Sequence, residues 1–235
     1  MRRVNVTILV LLLYAISLAS GWHGPAANSS SQAHASAGVQ AQPRKTSPPY
    51  TGDLTRFEGK DRAQNLHVER VMDLLGIKQG VAVADIGAGS GWFTVRAARR
   101  TGSSGKVYAV DINPDFLRHI RERAQQDGLL NIETILDKED DPLLPANSVD
   151  SVLLLKTYHE IAKPVPFLKH LRKALRPGAK VGIIDRNGKG DDHGIDAAVV
   201  IDEARQAGLQ LQGQYDFVKA DEGVDYFLLF IVRPN

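Results

Sequence analysis

Residues 83–92 read Val83-Ala84-Asp85-Ile86-Gly87-Ala88-Gly89-Ser90-Gly91-Trp92. The apolar start of this stretch predicts a buried strand, and the residues that follow Gly91 predict a helix. Glycines let the backbone turn sharply and let a ligand approach closely, and the helix points free N–H groups toward the turn. We therefore expect a ligand site at the carboxyl end of this strand, where open parallel sheets bind their ligands.

Strands and helices alternate along the rest of the chain. Apolar runs predict strands at 81–86, 106–110, 132–136, 149–155, 181–184, 209–217 and 226–232. Helical spacing predicts helices at 61–76, at 92–100, from 114 onward, around 167–175 and at 195–207. This order indicates an α/β fold with a doubly wound, mostly parallel sheet that helices cover on both faces. The last two strands are close enough in sequence to pair as a hairpin.

Composition and charge exclude several classes of protein. The chain has 235 residues, of which 43% are hydrophobic and 24% charged, so wholesale disorder is excluded. Cysteine is absent, which excludes disulfides, a cysteine nucleophile and thiolate metal sites. The 29 basic residues exceed the 27 acidic ones by two, and Arg2 and Arg3 account for that excess. Since no clustered basic surface is expected, we predict no nucleic-acid partner.

The N-terminal segment is typical of an export signal. Arg2 and Arg3 precede a mostly apolar run at residues 4–19, and small residues follow. This order predicts a signal peptide within residues 1–37, and export to the periplasm or beyond. The alternative is an uncleaved membrane anchor, because the run approaches the roughly 20 apolar residues that span a bilayer; membrane contact would then be limited to this segment. Residues 38–60 are predicted to be a flexible leader, and residues 61–235 the functional domain.

Two carboxylates near the glycine-rich turn indicate what kind of ligand binds there. Asp111 ends the second strand, 20 residues after Gly91, where a carboxylate can accept hydrogen bonds from both hydroxyls of a ribose. Dinucleotide sites need a Gly-x-Gly-x-x-Gly pattern, but Trp92 stands where its third glycine belongs. Asp85 is poorly matched to a diphosphate and well matched to a cationic amino-acid end. Together these features favour S-adenosylmethionine, which carries an ammonium and a sulfonium; a glycine-rich turn without a ligand is the alternative.

Over about residues 61–233 the chain resembles the class I S-adenosylmethionine-dependent methyltransferases, of the type that includes quinone-biosynthesis C-methyltransferases. Residues 83–91 match the family's first motif, and residues 110–113 match its acidic second motif. Asp137 resembles the acidic residue that contacts the adenine amino group. The resemblance implies a seven-stranded Rossmann-like sheet whose last strand is antiparallel. The residues predicted to contact the cofactor are Asp85, Gly87, Ala88, Gly89, Gly91, Asp111, Ile112, Asp137 and Lys156.

The predicted function is methyl transfer from S-adenosylmethionine to a small-molecule acceptor. A base is needed only if the acceptor must lose a proton. His159 and Tyr158, just past the fourth strand, are the candidate catalytic residues: His159 as a base near neutral pH and Tyr158 as a wall of the acceptor pocket. For both, ordinary packing is the alternative. The run Asp191-Asp192-His193 offers hard metal ligands, but a solvated loop is the simpler interpretation, so no metal site is predicted.

Two other functions compete with methyl transfer. A non-catalytic envelope protein that binds S-adenosylmethionine or another nucleoside, and that kept the fold, is favoured by the export signal. Against it stand the intact cofactor residues. A nicotinamide-dependent oxidoreductase is disfavoured by Trp92 and by the lack of an obvious Tyr-x-x-x-Lys pair.

Overall fold

The computed structural model describes residues 43–48, 50–218 and 223–232, which belong to one compact unit, residues 40–235. Its strands are β1 (Ala82–Ile86), β2 (Lys106–Asp111), β3 (Ile132–Leu136), β4 (Val149–Leu155), β5 (Leu175–Asp185), β6 (Leu209–Tyr215) and β7 (Tyr226–Val232). Its helices are α1 (Arg62–Asn65), α2 (Val68–Leu75), α3 (Trp92–Thr101), α4 (Pro114–Gln126), α5 (Pro164–Ala174) and α6 (Ala197–Gln206). Short 3-10 turns lie at Leu54–Phe57 and Tyr158–Glu160.

The signal peptide or anchor predicted within residues 1–37 lies outside the described residues. Across the ranges that the structure does describe, none of the helices is both long enough and apolar enough to span a bilayer.

The seven strands form one sheet in the order β3-β2-β1-β4-β5-β7-β6. Neighbouring strands from β3 to β5 run parallel, and β7 is inserted antiparallel between β5 and β6. The chain order reverses between β1 and β4, and such a reversal opens a crevice beyond the carboxyl ends of the two strands. The predicted fold class is confirmed, including the late hairpin and the antiparallel last strand.

Helices cover both faces of the sheet, as the buried strand sequences require. All five residues of β1 are buried. Ala84 packs in a core with Phe167 and Leu171 of α5, whereas its neighbour Val83 packs in another core with Phe93 of α3. Successive side chains of a strand point to opposite faces, so β1 is held between two layers of helices. This burial positions the turn that follows β1.

The helix predicted at 61–76 is two helices. His67 has a left-handed backbone, with φ +46°, and separates α1 from α2. Apolar spacing continues across the break because Leu66 and Val68 are both buried. The spacing of hydrophobic residues therefore predicted a single helix, although the backbone turns at His67.

Strand β5 begins six residues before the predicted start at 181. On β5 the paired residues jump from Leu175 to Lys180, while β4 advances only from Val149 to Ser151. Pro177 therefore lies in an irregular stretch that needs no backbone N–H for a hydrogen bond to β4. Strands tolerate proline at such positions.

Much of the predicted leader contacts the domain. The Arg44 guanidinium lies 3.0 Å from the Glu203 carboxylate, and the Ser47 backbone N–H donates to the Gly190 carbonyl at 3.0 Å. Glu58 accepts a hydrogen bond from the Ser90 hydroxyl at 2.7 Å. Flexibility of residues 38–60 stays a prediction, but these contacts hold Arg44, Ser47 and Glu58 against the domain.

Candidate active site

A cleft of about 1320 Å³ opens beyond the carboxyl ends of β1, β2 and β4. Small-molecule pockets are commonly about 300–1,000 Å³, so the cleft has room for a cofactor and a second ligand. It brings together most of the predicted site residues. Those on its walls are Asp85, Gly87, Ala88, Gly89, Asp111, Ile112, Asp137, Lys156 and His159.

Gly91 and Tyr158 are not on the cleft walls that the structure describes. Gly91, with φ +74°, precedes α3, and a Cβ there would lie 2.9 Å from a side-chain carbon of Ile120. It therefore lets α3 start close to α4. Tyr158 is fully buried, and its hydroxyl donates to Glu203 at 2.7 Å. These contacts agree with the alternative interpretation of Tyr158 as a packing residue. Its ring lies in the core, while the next residue, His159, faces the cleft.

The glycine-rich turn lines the cleft with Gly87, Ala88 and Gly89. Gly87 and Gly89 have φ of +68° and +54°, backbone angles that residues other than glycine rarely adopt. The Gly87 N–H donates to the Val110 carbonyl at 2.8 Å, which ties the turn to β2. A Cβ on Gly87 would lie 2.3 Å from the Thr157 side chain. No side chain other than hydrogen fits at Gly87 without moving Thr157.

Asp111 holds the turn and still faces the cleft. One carboxylate oxygen accepts from the Gly89 N–H at 2.8 Å and the other from the Asn113 N–H at 2.9 Å. Burial raises the pKa of Asp111, and these backbone donors oppose the rise. Each oxygen keeps a further lone pair for a hydroxyl donor. The next side chain, Ile112, is 44% exposed and supplies an apolar wall.

Asp137 carries a buried polar atom that lacks a partner. Its Oδ1 is buried and accepts no hydrogen bond from any part of the chain that the structure describes. Burial, followed by the negative charge of Asp111, raises the pKa of Asp137 to about 7. A buried acceptor without a donor costs about 1–3 kcal/mol. A ligand N–H at this end of the cleft would remove that cost.

Asp85 lies at the other side of the turn and is almost fully buried. It accepts a hydrogen bond from the Thr94 hydroxyl at 2.6 Å. Burial raises the pKa of Asp85 to about 7; Asp111 adds to the rise, and Arg62 opposes it. Sequence reasoning missed both Thr94 and Arg62. In the sequence, only the position of Arg62 before the first strand could have indicated it. Its guanidinium carbon lies 4.5 Å from the centroid of the Trp92 ring, and that contact depends on the fold.

His159 and Asp185 form a buried pair beside the cleft, where β4 and β5 end. The Nδ1 atom of His159 lies 2.9 and 3.0 Å from the two carboxylate oxygens of Asp185. An ionised carboxylate only accepts hydrogen bonds, so Nδ1 carries the hydrogen and Nε2 of the neutral ring carries a lone pair. The backbone N–H groups of His159 and Arg186 also donate to Asp185. The sequence indicated His159 but not its partner, which is 26 residues away.

Glu160 completes this end of the cleft. Its Oε1 lies 3.9 Å from Nε2 of His159. Burial raises the pKa of Glu160 to about 7; His159 opposes the rise, and Asp111 and Asp185 add to it. Lys156, just after β4, has φ +55°, and its N–H donates to the Ile184 carbonyl at 2.8 Å. Strained backbone of this kind is concentrated at functional sites.

A family model described as a methyltransferase domain matches residues 83–178, the segment that builds the glycine-rich turn, Asp111 and Asp137. The chain is also similar to the ubiquinone/menaquinone biosynthesis C-methyltransferase UbiE of Escherichia fergusonii. The two are 25% identical over 115 residues, which cover 48% of this chain and 46% of the relative. The chain carries a class I S-adenosylmethionine-dependent methyltransferase domain. The resemblance stated from the sequence is therefore confirmed, as is the prediction of an enzyme domain.

Solved structures share the fold of this methyltransferase domain. A SAM-dependent methyltransferase from Aquifex aeolicus superposes with a TM-score of 0.70 at 24% identity, covering 78% of this chain and all of that one. The cyclase SpnF superposes with a TM-score of 0.63 at 14% identity, covering 83% of this chain and 87% of that one. These likenesses show the fold alone. The chain spans about half the length of the curated relatives that it matches.

The methyl donor of this family is S-adenosylmethionine, and the cleft of the methyltransferase domain fits it. The Asp137 oxygen without a partner suits an amino N–H, and the open glycine turn suits close approach of a ligand. The acidic groups around the cleft suit a ligand with positive charge and are a poor match for a diphosphate. Asp85, Asp111 and Asp185 are buried, and Asp137 and Glu160 are half-buried.

Proposed function

We propose that this protein transfers a methyl group from S-adenosylmethionine to a small-molecule acceptor. The observation that carries the proposal is the buried Asp137 oxygen without a hydrogen-bond donor, in the same cleft as Asp111 and Asp85. The volume of the cleft supports a second ligand beside the cofactor. The relatives are named for C-methylation in quinone biosynthesis, which makes ring carbons and hydroxyls the first acceptors to try.

The bound cofactor supplies a methyl group that its sulfonium already activates. The work of the chain is then to orient the reactants and to exclude water. In this proposal Asp85 holds the cationic amino-acid end, Asp111 the ribose hydroxyls and Asp137 the adenine amino group. Ile112 supplies an apolar wall for the adenine ring, and the Lys156 backbone lies at the end of β4.

His159 is the proposed base for acceptors that must lose a proton. Its Nε2 faces Glu160 and the cleft, and Asp185 fixes the ring and stabilises the imidazolium that forms on protonation. Tyr158 acts here only through packing, because its hydroxyl is engaged with Glu203. A non-catalytic protein would need none of the pairing between His159 and Asp185, so methyl transfer is the favoured function.

Calorimetry of the full chain with S-adenosylmethionine, and with its demethylated product, tests the cofactor assignment. We expect binding of both ligands, and loss of binding in Asp111→Ala. A folded protein that releases no heat with either ligand would refute the assignment. A panel of hydroxyl, amine and carbon acceptors then tests the enzyme: binding with no methyl transfer across the panel would favour the non-catalytic alternative.

We further propose that the chain is exported, on the basis of Arg2, Arg3 and the apolar run at residues 4–19. Mass spectrometry of the protein from its native host reports the start of the mature chain. A start after residue 19 supports a cleaved signal peptide. An intact N-terminus in the membrane fraction supports the anchor, and an intact N-terminus in the cytoplasm contradicts both.

A further inference from the structure

We propose that His159, Glu160 and His193 form a binding site for a divalent transition-metal ion at the end of the cleft beside β4 and β5. One ligand atom from each of the three side chains lies within 4.8 Å of the others. All three residues line the same cleft. The site departs from the sequence-based expectation that no metal is bound.

His159 already has the form of a metal ligand. Nδ1 donates to the Asp185 carboxylate, so the lone pair is on Nε2, the atom that faces Glu160 at 3.9 Å. A carboxylate that fixes the tautomer and raises the basicity of a ligating histidine is the usual support around a protein-bound metal ion. Asp185 is fully buried, and backbone N–H groups hold it from two further directions.

His193 reaches the site from the loop between β5 and α6. Its ring lies edge-on to the His159 ring, with centroids 5.9 Å apart and planes at 84°. The backbone N–H of His193 donates to the Ser47 hydroxyl at 3.0 Å, and Lys189 bridges Ile195 across the base of the loop. Within the described residues this loop is therefore held against the domain, and Asp191, Asp192 and His193 are exposed on it.

The donor set selects the class of ion. Two imidazole nitrogens suit zinc and its neighbours in the first transition row, whereas magnesium and calcium prefer sites made of oxygen. Bond lengths of about 2.0–2.2 Å in a tetrahedral zinc site place ligand atoms closer together than they lie here. The required shift is on the order of 1 Å, which rotation of the exposed His193 and the half-buried Glu160 supplies.

Three protein ligands leave a fourth coordination position, as in catalytic zinc sites. This consequence rests on the proposed methyl transfer: the open position would take an oxygen of the acceptor and lower its pKa. The Nε2 lone pair of His159 cannot serve as a base while it binds an ion. Metal binding and base catalysis by His159 are thus two ways to activate a hydroxyl acceptor in this cleft.

Titration of the full chain with metal ions tests the site without any cofactor. Protein stripped with a chelator is titrated with ZnCl₂ in a calorimeter, and with CoCl₂ while visible absorption reports tetrahedral coordination. We expect one zinc ion per chain, weakened roughly 100-fold or more in His193→Ala and about 10–100-fold in Asp185→Asn. His119→Ala, which removes an exposed histidine of α4 outside this cleft, should bind zinc as the wild type does.

The inference is overturned if His193→Ala binds zinc as tightly as the wild type, or if magnesium competes at equal concentration. It is also overturned if the stripped wild-type protein takes up no zinc. Circular dichroism of each variant confirms that it is folded before the titrations are compared. A failed zinc titration leaves cofactor binding standing, because S-adenosylmethionine is absent from it, and failed cofactor binding in the separate calorimetric test leaves the metal site standing.

Discussion

A carboxylate oxygen that is buried without a donor destabilises the protein in which it lies. Asp137 keeps such an atom at the end of β3. Asp111 lies on the neighbouring strand, where its carbonyl accepts from the Asp137 N–H at 3.3 Å, and its charge adds to the cost of ionising Asp137. A residue that costs stability in the free protein and faces a ligand cleft has the character of a binding residue.

Asp137→Asn should therefore separate binding from stability. The amide removes the buried charge but offers an N–H toward a ligand amino group, so we expect roughly tenfold or greater loss of S-adenosylmethionine affinity, about 1.4 kcal/mol. The free protein should become more stable at pH 8, by about 1–3 kcal/mol. Calorimetry measures the affinity, and chemical denaturation measures the free energy of unfolding.

Asp61→Asn is the matched control, because Asp61 is exposed and its side chain caps no helix. It should change neither quantity. Tighter or equal cofactor binding by Asp137→Asn would show that Asp137 does not contact the adenine amino group.

The turn between β1 and α3 is the element on which the cofactor half of the cleft depends. Gly87→Ala places a Cβ against Thr157 at a backbone φ of +68°, whereas Gly128→Ala meets nothing within 4 Å at φ +65°. The left-handed backbone costs about 1–2 kcal/mol in either variant. Gly87→Ala should lose further stability and most of its affinity for S-adenosylmethionine, while Gly128→Ala should bind normally. Thermal unfolding and calorimetry compare the two, and equal behaviour would mean that the turn can shift away from Thr157.

The segment before α1 is a second element that can be tested. Arg44 is half-buried, pairs with Glu203 at 3.0 Å and covers the Tyr158 ring, 4.9 Å from its centroid. Arg44→Ala leaves the partly buried Glu203 carboxylate without its cation, and we expect a loss of about 2–4 kcal/mol.

Lys45→Ala is its control. Lys45 pairs with Asp191 at the surface, and exposed pairs contribute little, so no measurable change is expected. Urea denaturation of both variants decides whether the contacts of Arg44 stabilise the domain. If the Arg44→Ala variant and the wild type have the same free energy of unfolding, the contacts of Arg44 do not stabilise the domain.

The elements that local pattern specifies were predictable from the sequence. β1 and its glycine turn are encoded within residues 82–91, and the confirmed sheet follows from the alternation of strands and helices. Contacts between distant residues were not predictable. The pairing of His159 with Asp185 joins positions 26 apart, and that of Arg44 with Glu203 joins positions 159 apart; each depends on how the strands and the leader meet. The left-handed backbone of His67 was not predictable, because the apolar spacing of a helix continues on both sides of it.

For the whole molecule, three acids that are buried or half-buried predict how stability depends on pH. Asp85, Asp137 and Glu160 each have a pKa of about 7 in the folded state, above ordinary values of 3.8, 3.8 and 4.5. Between about pH 4.5 and 7 the folded chain therefore binds more protons than the unfolded chain. Stability falls as pH rises wherever that holds. Glu58, whose pKa is lowered mainly by Arg123 against the effect of burial, acts with the opposite sign but below this window.

We accordingly expect the free energy of unfolding of the full chain, with chelator present, to fall by at least about 2 kcal/mol from pH 5 to pH 8, since one pKa unit corresponds to about 1.4 kcal/mol. Urea denaturation at several pH values measures it. Asp137→Asn should flatten the curve, because it removes one of the three groups. A saturating ligand with positive charge near Asp85 favours the ionised carboxylate, so S-adenosylmethionine should restore more stability at pH 8 than at pH 5. Stability that rises across this window would contradict the burial of these acids.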